Sequence, residues 1–516
     1  MQRVMESTDE RTRSRRMNGP EPGDGSGDAL LPDAETMRRL GYRAVDHIVH
    51  RWAGLEADRP WRGATRAVAE ARLDSPPSED GGDIEALMDW VVQEVFPLAG
   101  RIDHPRFMGF VPSGPGWPAV LADILVSGHN VFQGTWLESA GPSQIELTVL
   151  EWFRGWLGMP EGAGGILTSG GSAANLLAVV AARDLAGAPE GGVIYLSEQG
   201  HSSLERAARV AGFGPERIRK LPTGPDRRLE VEGVAAAVAG DRERGLRPIL
   251  ICANGGATST GVVDPLPELV ALARREGIRL HVDAAYGGFA VLTDEGRAAL
   301  EGIGEADTVT LDPHKWFFQT YECGCLMARD PGELEQVFRV SAAYLQDTHL
   351  QDREVNFGDR GIQLTRAFRA LGIWLTVQSA GRRRLAEAVG AGIALGARAG
   401  AWIEAHPELE LLHPASLGIV CFRYRPHSEG PQGDDPHSDD LRSDDLHNHD
   451  LRSEEGLEAL NRELQDRMLH GGHAMMSSTR LDGRYSLRFC ILNHRSRWSH
   501  VESALEQVVL EGRALA

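Results

Sequence analysis

"TVTLDPHKW", Thr308 to Trp316, is an apolar run that stops at an acid and then sets a lysine between a histidine and a tryptophan. Its alternating β-branched residues read as a buried strand, with Asp312 opening the loop at the strand's carboxyl end. Three further segments have the same form: "GVIYLSE" (Gly192–Glu198), "RPILICAN" (Arg247–Asn254) and "IRLHVDAAY" (Ile278–Tyr286). Helical segments such as "SAANLLAVVAARDLA" (Ser172–Ala186) and "LPELVALARREG" (Leu266–Gly277) lie among them. This rhythm predicts an α/β fold, a mostly parallel sheet covered by helices on both faces. Such sheets bind ligands at the carboxyl ends of their strands. His201, Asp283 and Lys315 all fall at or just after strand ends, on one rim.

The bulk properties narrow the partners. At 516 residues the chain is too long for one ordinary core. Its 60 glycines follow no three-residue period, so they mark tight connections rather than a fibre. A formal net charge of −20 argues against nucleic acid or an anionic membrane as the main partner. Five cysteines make no disulfide framework, and the odd count points to a reducing compartment. Cys323 and Cys325 share one strand face but fit no common zinc spacing, and no metal site is predicted. The first residues lack an apolar signal core and no run is long enough to span a bilayer, so the expected location is cytoplasmic.

Along the chain, residues 1–32 read as a polar tail and 33–104 as an N-terminal helical segment, with Asp33 as a helix N-cap. Residues 105–378 form the predicted large domain. Residues 379–516 read as a small α+β domain, interrupted at 427–456 by an acidic, low-complexity insertion. That insertion carries His427, His437, His447 and His449, which read as solvated loop rather than as metal ligands.

Four pieces carry chemistry. "GGILTSGGSAANL" places Gly171 and Ser172 where a strand turns into a helix, and a helix N-terminus offers free N–H groups to a phosphate. The same turn partly matches a nucleophile elbow. A serine hydrolase using Ser172, Asp283 and His314 is therefore an alternative, but it leaves Lys315 and His201 without a task. Phosphate cradle, histidine, acid and lysine, each at a strand-to-loop junction, together suit one cofactor, pyridoxal 5'-phosphate. Its phosphate wants the helix terminus, its ring a stacking partner, its pyridine nitrogen a carboxylate and its aldehyde a lysine.

The segments "HPRFMGFVPSG", "TSGGSAANL", "EQGHSS", "HVDAAYGG" and "DPHKW" resemble the group II pyridoxal-phosphate decarboxylases, which include the aromatic-L-amino-acid, histidine, glutamate and tyrosine decarboxylases. The resemblance runs from about Asp33 to the C-terminus and leaves out the 427–456 insertion. It implies a fold-type I, aspartate-aminotransferase-like large domain with a seven-stranded sheet. It also implies a homodimer with the active site at the subunit interface. Carried over residue by residue, it makes Lys315 the amine that condenses with the cofactor and Asp283 the partner of the pyridine nitrogen. His201 would stack on the ring opposite Ala285, and Gly171, Ser172 and His314 would hold the phosphate. Thr258 would sit near cofactor or substrate. Tyr344, on a polar segment that reads as a lid (about Asp330–Gly361), would protonate the substrate's Cα. Asp312 departs from the asparagine of the animal aromatic enzymes and is left out of the expected site. Phe110, Pro112 and Phe132 are the expected substrate wall, with Phe132, Gln133 and Gly134 reaching in from the neighbouring subunit. An apolar lining without a basic group favours aromatic or large apolar L-amino acids. The alternatives are an acidic or diaminobutyrate-type substrate, transamination or another reaction at Cα, and a non-catalytic cofactor-binding scaffold.

Overall fold

The computed structural model describes residues 30–77, 79–340, 347–348, 353–426, 450–451 and 453–516. The 1–29 tail and insertion residues 427–449, with the four histidines noted above, lie outside the described residues.

Seven strands form the large sheet: β1 (Gly164–Thr168), β2 (Gly192–Ser197), β3 (Ile218–Leu221), β4 (Arg247–Asn254), β5 (Arg279–Asp283), β6 (Thr308–Leu311) and β7 (Gly324–Ala328). Their order is β1-β7-β6-β5-β4-β2-β3. β6, β5, β4, β2 and β3 pair in parallel, whereas β7 runs antiparallel to both of its neighbours, β1 and β6. Strands β2, β6 and β7 are buried along their whole length. Helices on both faces exclude water, which is why these strands read as continuous apolar runs instead of alternating ones. Helix Gly171–Leu185 buries Ala174, Leu177, Ala178, Ala181 and Ala182, and small side chains let it lie close to the sheet.

β6 and β7 are joined by residues 312–323, which contain no helix, whereas a parallel return usually runs through one. The chain instead doubles back beside the strand it has just left. That places Gly324 against the loop after β1: a Cβ on Gly324 would lie 2.4 Å from Gly170 Cα.

Helix Ala370–Ala405, broken at Gly381 (φ 78°), leads to a four-stranded antiparallel sheet. Its strands are β8 (Leu409–Ser416), β9 (Ile419–Tyr424), β10 (Ser477–Leu481) and β11 (Arg484–Cys490), in the order β10-β11-β9-β8. Phe422, Phe489, Leu464, Ile403 and Val501 pack a second core between this sheet and its helices.

Two compact units can be separated. One holds the residues up to Asp58 with Ala64–Leu98, the other Arg59–Gly63 with Ala99–Ala516. Within the first, helix Ala34–Ala53 is capped by Asp33, whose carboxylate accepts from Thr36 N at 2.8 Å. Arg43 and His47 of that helix meet Asp89 of helix Ile84–Trp90. None of this unit's α-helices contains a fully buried residue. No helix among the described residues is long and apolar enough to cross a membrane.

Candidate active site

The loop after β1 builds one wall of a cavity of about 360 Å³. β1 ends at Thr168, and helix Gly171–Leu185 starts with no side chain capping it. Its first N–H groups are thus left to whatever occupies the cavity. Gly171 has to be glycine-sized, because a Cβ there would sit 3.0 Å from both Ala285 Cβ and Asp312 Oδ2. The strand is held from behind by a buried ion pair. Arg366 Nη2 donates to Glu146 Oε1 at 2.7 Å and to Leu167 O at 2.8 Å, while Leu167 N donates to the same carboxylate at 2.8 Å.

Asp283, the last residue of β5, is buried. Its Oδ2 accepts from Asn175 Nδ2 at 2.8 Å and its Oδ1 from Ala285 N at 3.2 Å. Those oxygens therefore go to Asn175 and Ala285, not to His314 as a hydrolase triad would require.

Lys315 keeps 21% of its side chain exposed, and its Nζ lies 2.9 Å from Asp312 Oδ2. Burial pulls the lysine's pKa down, but Asp312, helped by Asp283, outweighs it and the net shift is upward. Asp312 also faces His314, with Nε2 at 3.6 Å. Desolvation pushes the His314 pKa down, and Lys315 adds to the shift against the pull of Asp312. His201, at the start of helix Ser202–Val210, likewise has its pKa lowered by desolvation, opposed by Asp283.

Gly171, Ser172, His201, Thr258, Asp283, Ala285, His314 and Lys315 all line this one cavity. Phe110, Pro112 and Phe132 do not. Phe110 is exposed, with φ 54°. Gln133 turns inward within its own chain, donating to Glu146 Oε2 at 2.8 Å. Tyr344 lies outside the described residues. The sequence reading passed over Asp312, Asn175, Asn254 and Ser203, which line the cavity too. The small sheet's own domain anchors the walls. Arg488 on β11 donates to Thr258 O at 2.6 Å, Ser259 O at 3.0 Å and Phe110 O at 2.5 Å, and the Tyr286 hydroxyl donates to Leu417 O.

Two buried atoms of the lining, Asp312 Oδ1 and Asn254 Nδ2, have no hydrogen-bond partner among the described residues. An orphaned acceptor and an orphaned donor in one cavity signal a polar ligand. A free helix N-terminus, a carboxylate and a lysine around the same space suit a ligand with an anionic group and groups that pair with an acid and an amine. The pyridoxal-dependent decarboxylase conserved domain matches residues 69–425.

The chain belongs to the pyridoxal-dependent decarboxylase family.

The decarboxylase is 36% identical over 490 residues to the aromatic-L-amino-acid decarboxylase of Bacillus atrophaeus, covering 94% of this chain and 97% of that protein. It is 30% identical to the phenylacetaldehyde synthase of Arabidopsis thaliana, covering 93% and 96%. Among solved structures, that of Oryza sativa TDC with PLP and tryptamine superposes with a TM-score of 0.86 at 27% identity, covering 94% of this chain and 99% of that one. The cofactor of this decarboxylase is pyridoxal 5'-phosphate, and the cavity's residues fit it. Family membership removes the serine-hydrolase alternative.

Proposed function

We propose that this decarboxylase converts aromatic L-amino acids to the corresponding amines and CO2, as a homodimer in the cytoplasm. The observation that carries the substrate class is the similarity to an aromatic-L-amino-acid decarboxylase, 36% identical over 94% of this chain and 97% of that protein.

The bound cofactor supplies an electron sink conjugated to the substrate's Cα. Lys315 is the amine that meets its aldehyde, and Asp283 keeps a proton at its pyridine nitrogen. His201 and Ala285, which both line the cavity, would hold the cofactor's ring between them. Gly171 and Ser172, through their N–H groups, and His314 receive the phosphate, and Thr258 borders cofactor or substrate. Tyr344 delivers the proton to Cα once CO2 has left. Phe110, Pro112 and Phe132 form the substrate wall. None of the three lines the cavity of the single chain. Leu121, Ile124 and Leu125, exposed along helix Trp117–His129, support that second copy. Five free, buried cysteines support a reducing compartment.

The test is an absorption spectrum of the purified protein, then a panel of L-amino acids with CO2 detection and Lys315→Ala as control. A band in the visible to near-ultraviolet that borohydride removes, with gas from tryptophan, tyrosine or phenylalanine, is the expected result. Gas from glutamate or diaminobutyrate alone, or turnover by Lys315→Ala, would overturn the proposal.

A further inference from the structure

The residues around Asp283 form a hydrogen-bond chain whose direction can be worked out atom by atom. Asn175 is 1% exposed and its amide is fully occupied. A carboxylate accepts hydrogen bonds, so the amide atom 2.8 Å from Asp283 Oδ2 has to be Nδ2. Oδ1 then faces Thr310 Oγ1 at 2.7 Å and His281 Nε2 at 3.0 Å, both of which donate to it. The second Nδ2 hydrogen goes to Ser203 Oγ at 2.8 Å. Having accepted there, the Ser203 hydroxyl has its own hydrogen to give, and His201 Nδ1 lies 2.7 Å away. Ser203 N adds a weaker donation to the same nitrogen at 3.3 Å. With two donors aimed at Nδ1, a neutral His201 ring carries its proton on Nε2.

We propose that Asn175 and Ser203 are positioning residues: they fix His201 as its Nε2–H tautomer and tie that choice to the carboxylate of Asp283. The proposal rests on the reading of this cavity as the cofactor site. It adds that the ring lining it presents a donor at Nε2 and a committed acceptor at Nδ1. The amide is the only link in the chain that can hold both ends, because it alone offers two hydrogens on one side and a carbonyl on the other.

The test uses full-length protein loaded with pyridoxal phosphate and labelled with 15N in its histidine rings, with His201 assigned by comparison with His201→Gln. The expected spectrum has a pyridine-type Nδ1 and a pyrrole-type Nε2 in the wild type. Ser203→Ala and Asn175→Ala should lose this single-tautomer signature, and Ser203→Thr, which keeps the hydroxyl, should restore it. A general loss of stability would not move a tautomer. A protonated Nδ1 in the neutral wild-type ring would overturn the proposal, and this measurement needs no variant to fold. An unchanged signature in both alanine variants would overturn it as well. Assays on the same samples separate the two readings. An active wild type with Nδ1–H sinks the relay alone, whereas an inactive enzyme with the expected tautomer supports the relay and counts against the function.

Discussion

Lys315 Nζ lies 2.9 Å from Asp312 Oδ2. A protonated amine cannot attack an aldehyde, so an acid that favours the charged lysine should make cofactor capture slower at low pH. Asp312→Asn removes the main group holding the lysine's pKa up. The rate at which the cofactor's absorption band forms should then reach its plateau at lower pH than in the wild type. An unshifted pH profile would show that Asp312 does not control the amine. Tyr344→Phe addresses the other proton. Without the phenol the amine product should fall, while aldehyde, ammonia and peroxide appear at the expense of dissolved oxygen; unchanged products would remove Tyr344 from its role. The lysine, the acid of β5 and the glycine turn were legible because each interrupts an apolar run. Asp312 was noticed but set aside, and Asn175 and His281 were not read, although spacing marked these two. Asn175 lies four residues after Gly171 and so on the same helix face, and His281 lies two before Asp283 on the same side of its strand. Their work is visible only when partners from three elements are seen together.

Among the elements, the strand direction of β7 is the feature that reaches furthest. An apolar run carries no arrow, so "CGCLMA" reads as strand but not as a reversed one; the absence of a helix from the β6–β7 connection is what accompanies the reversal. Reversal packs Gly324 onto Gly170 with no room for a methyl group. Gly324→Ala should therefore push the phosphate-side turn into the cavity. The expected cost is about 1–3 kcal/mol of overpacking, with weaker cofactor binding in equilibrium titration although Gly324 does not line the site. Wild-type affinity in this variant would show that the turn can move aside. Helix Arg66–Leu73 escaped the sequence reading for a different reason. It is only eight residues long, about two turns, too short for an apolar stripe to repeat.

For the whole molecule, two buried groups set opposing pH dependences on stability. Burial pushes His281 down to about 4, so between there and its ordinary value of 6.5 the unfolded chain binds a proton that the native one refuses. Stability from this group is complete above 6.5 and is lost as pH falls towards 4. Burial raises Asp264 to about 6 from its ordinary value of 3.8, so there the native state holds the extra proton and stability falls as pH rises. Between about pH 4 and 6 the two cancel. Asp264→Asn should unmask the histidine, steepening the rise of unfolding free energy with pH by about 1.4 kcal/mol per unit in that window. Urea unfolding followed by tryptophan fluorescence would measure it, and an unaltered slope would mean that Asp264 does not titrate there.

Every residue that lines the cavity precedes Leu409, so a ribosome finishes the cofactor's cradle well before it makes the small sheet. Yet Thr258 and Tyr286 are held in place by Arg488 and Leu417. A chain that stops short of β11 thus has the residues of the site without the bracing that Arg488 gives Thr258, so the cradle is made early and fastened last.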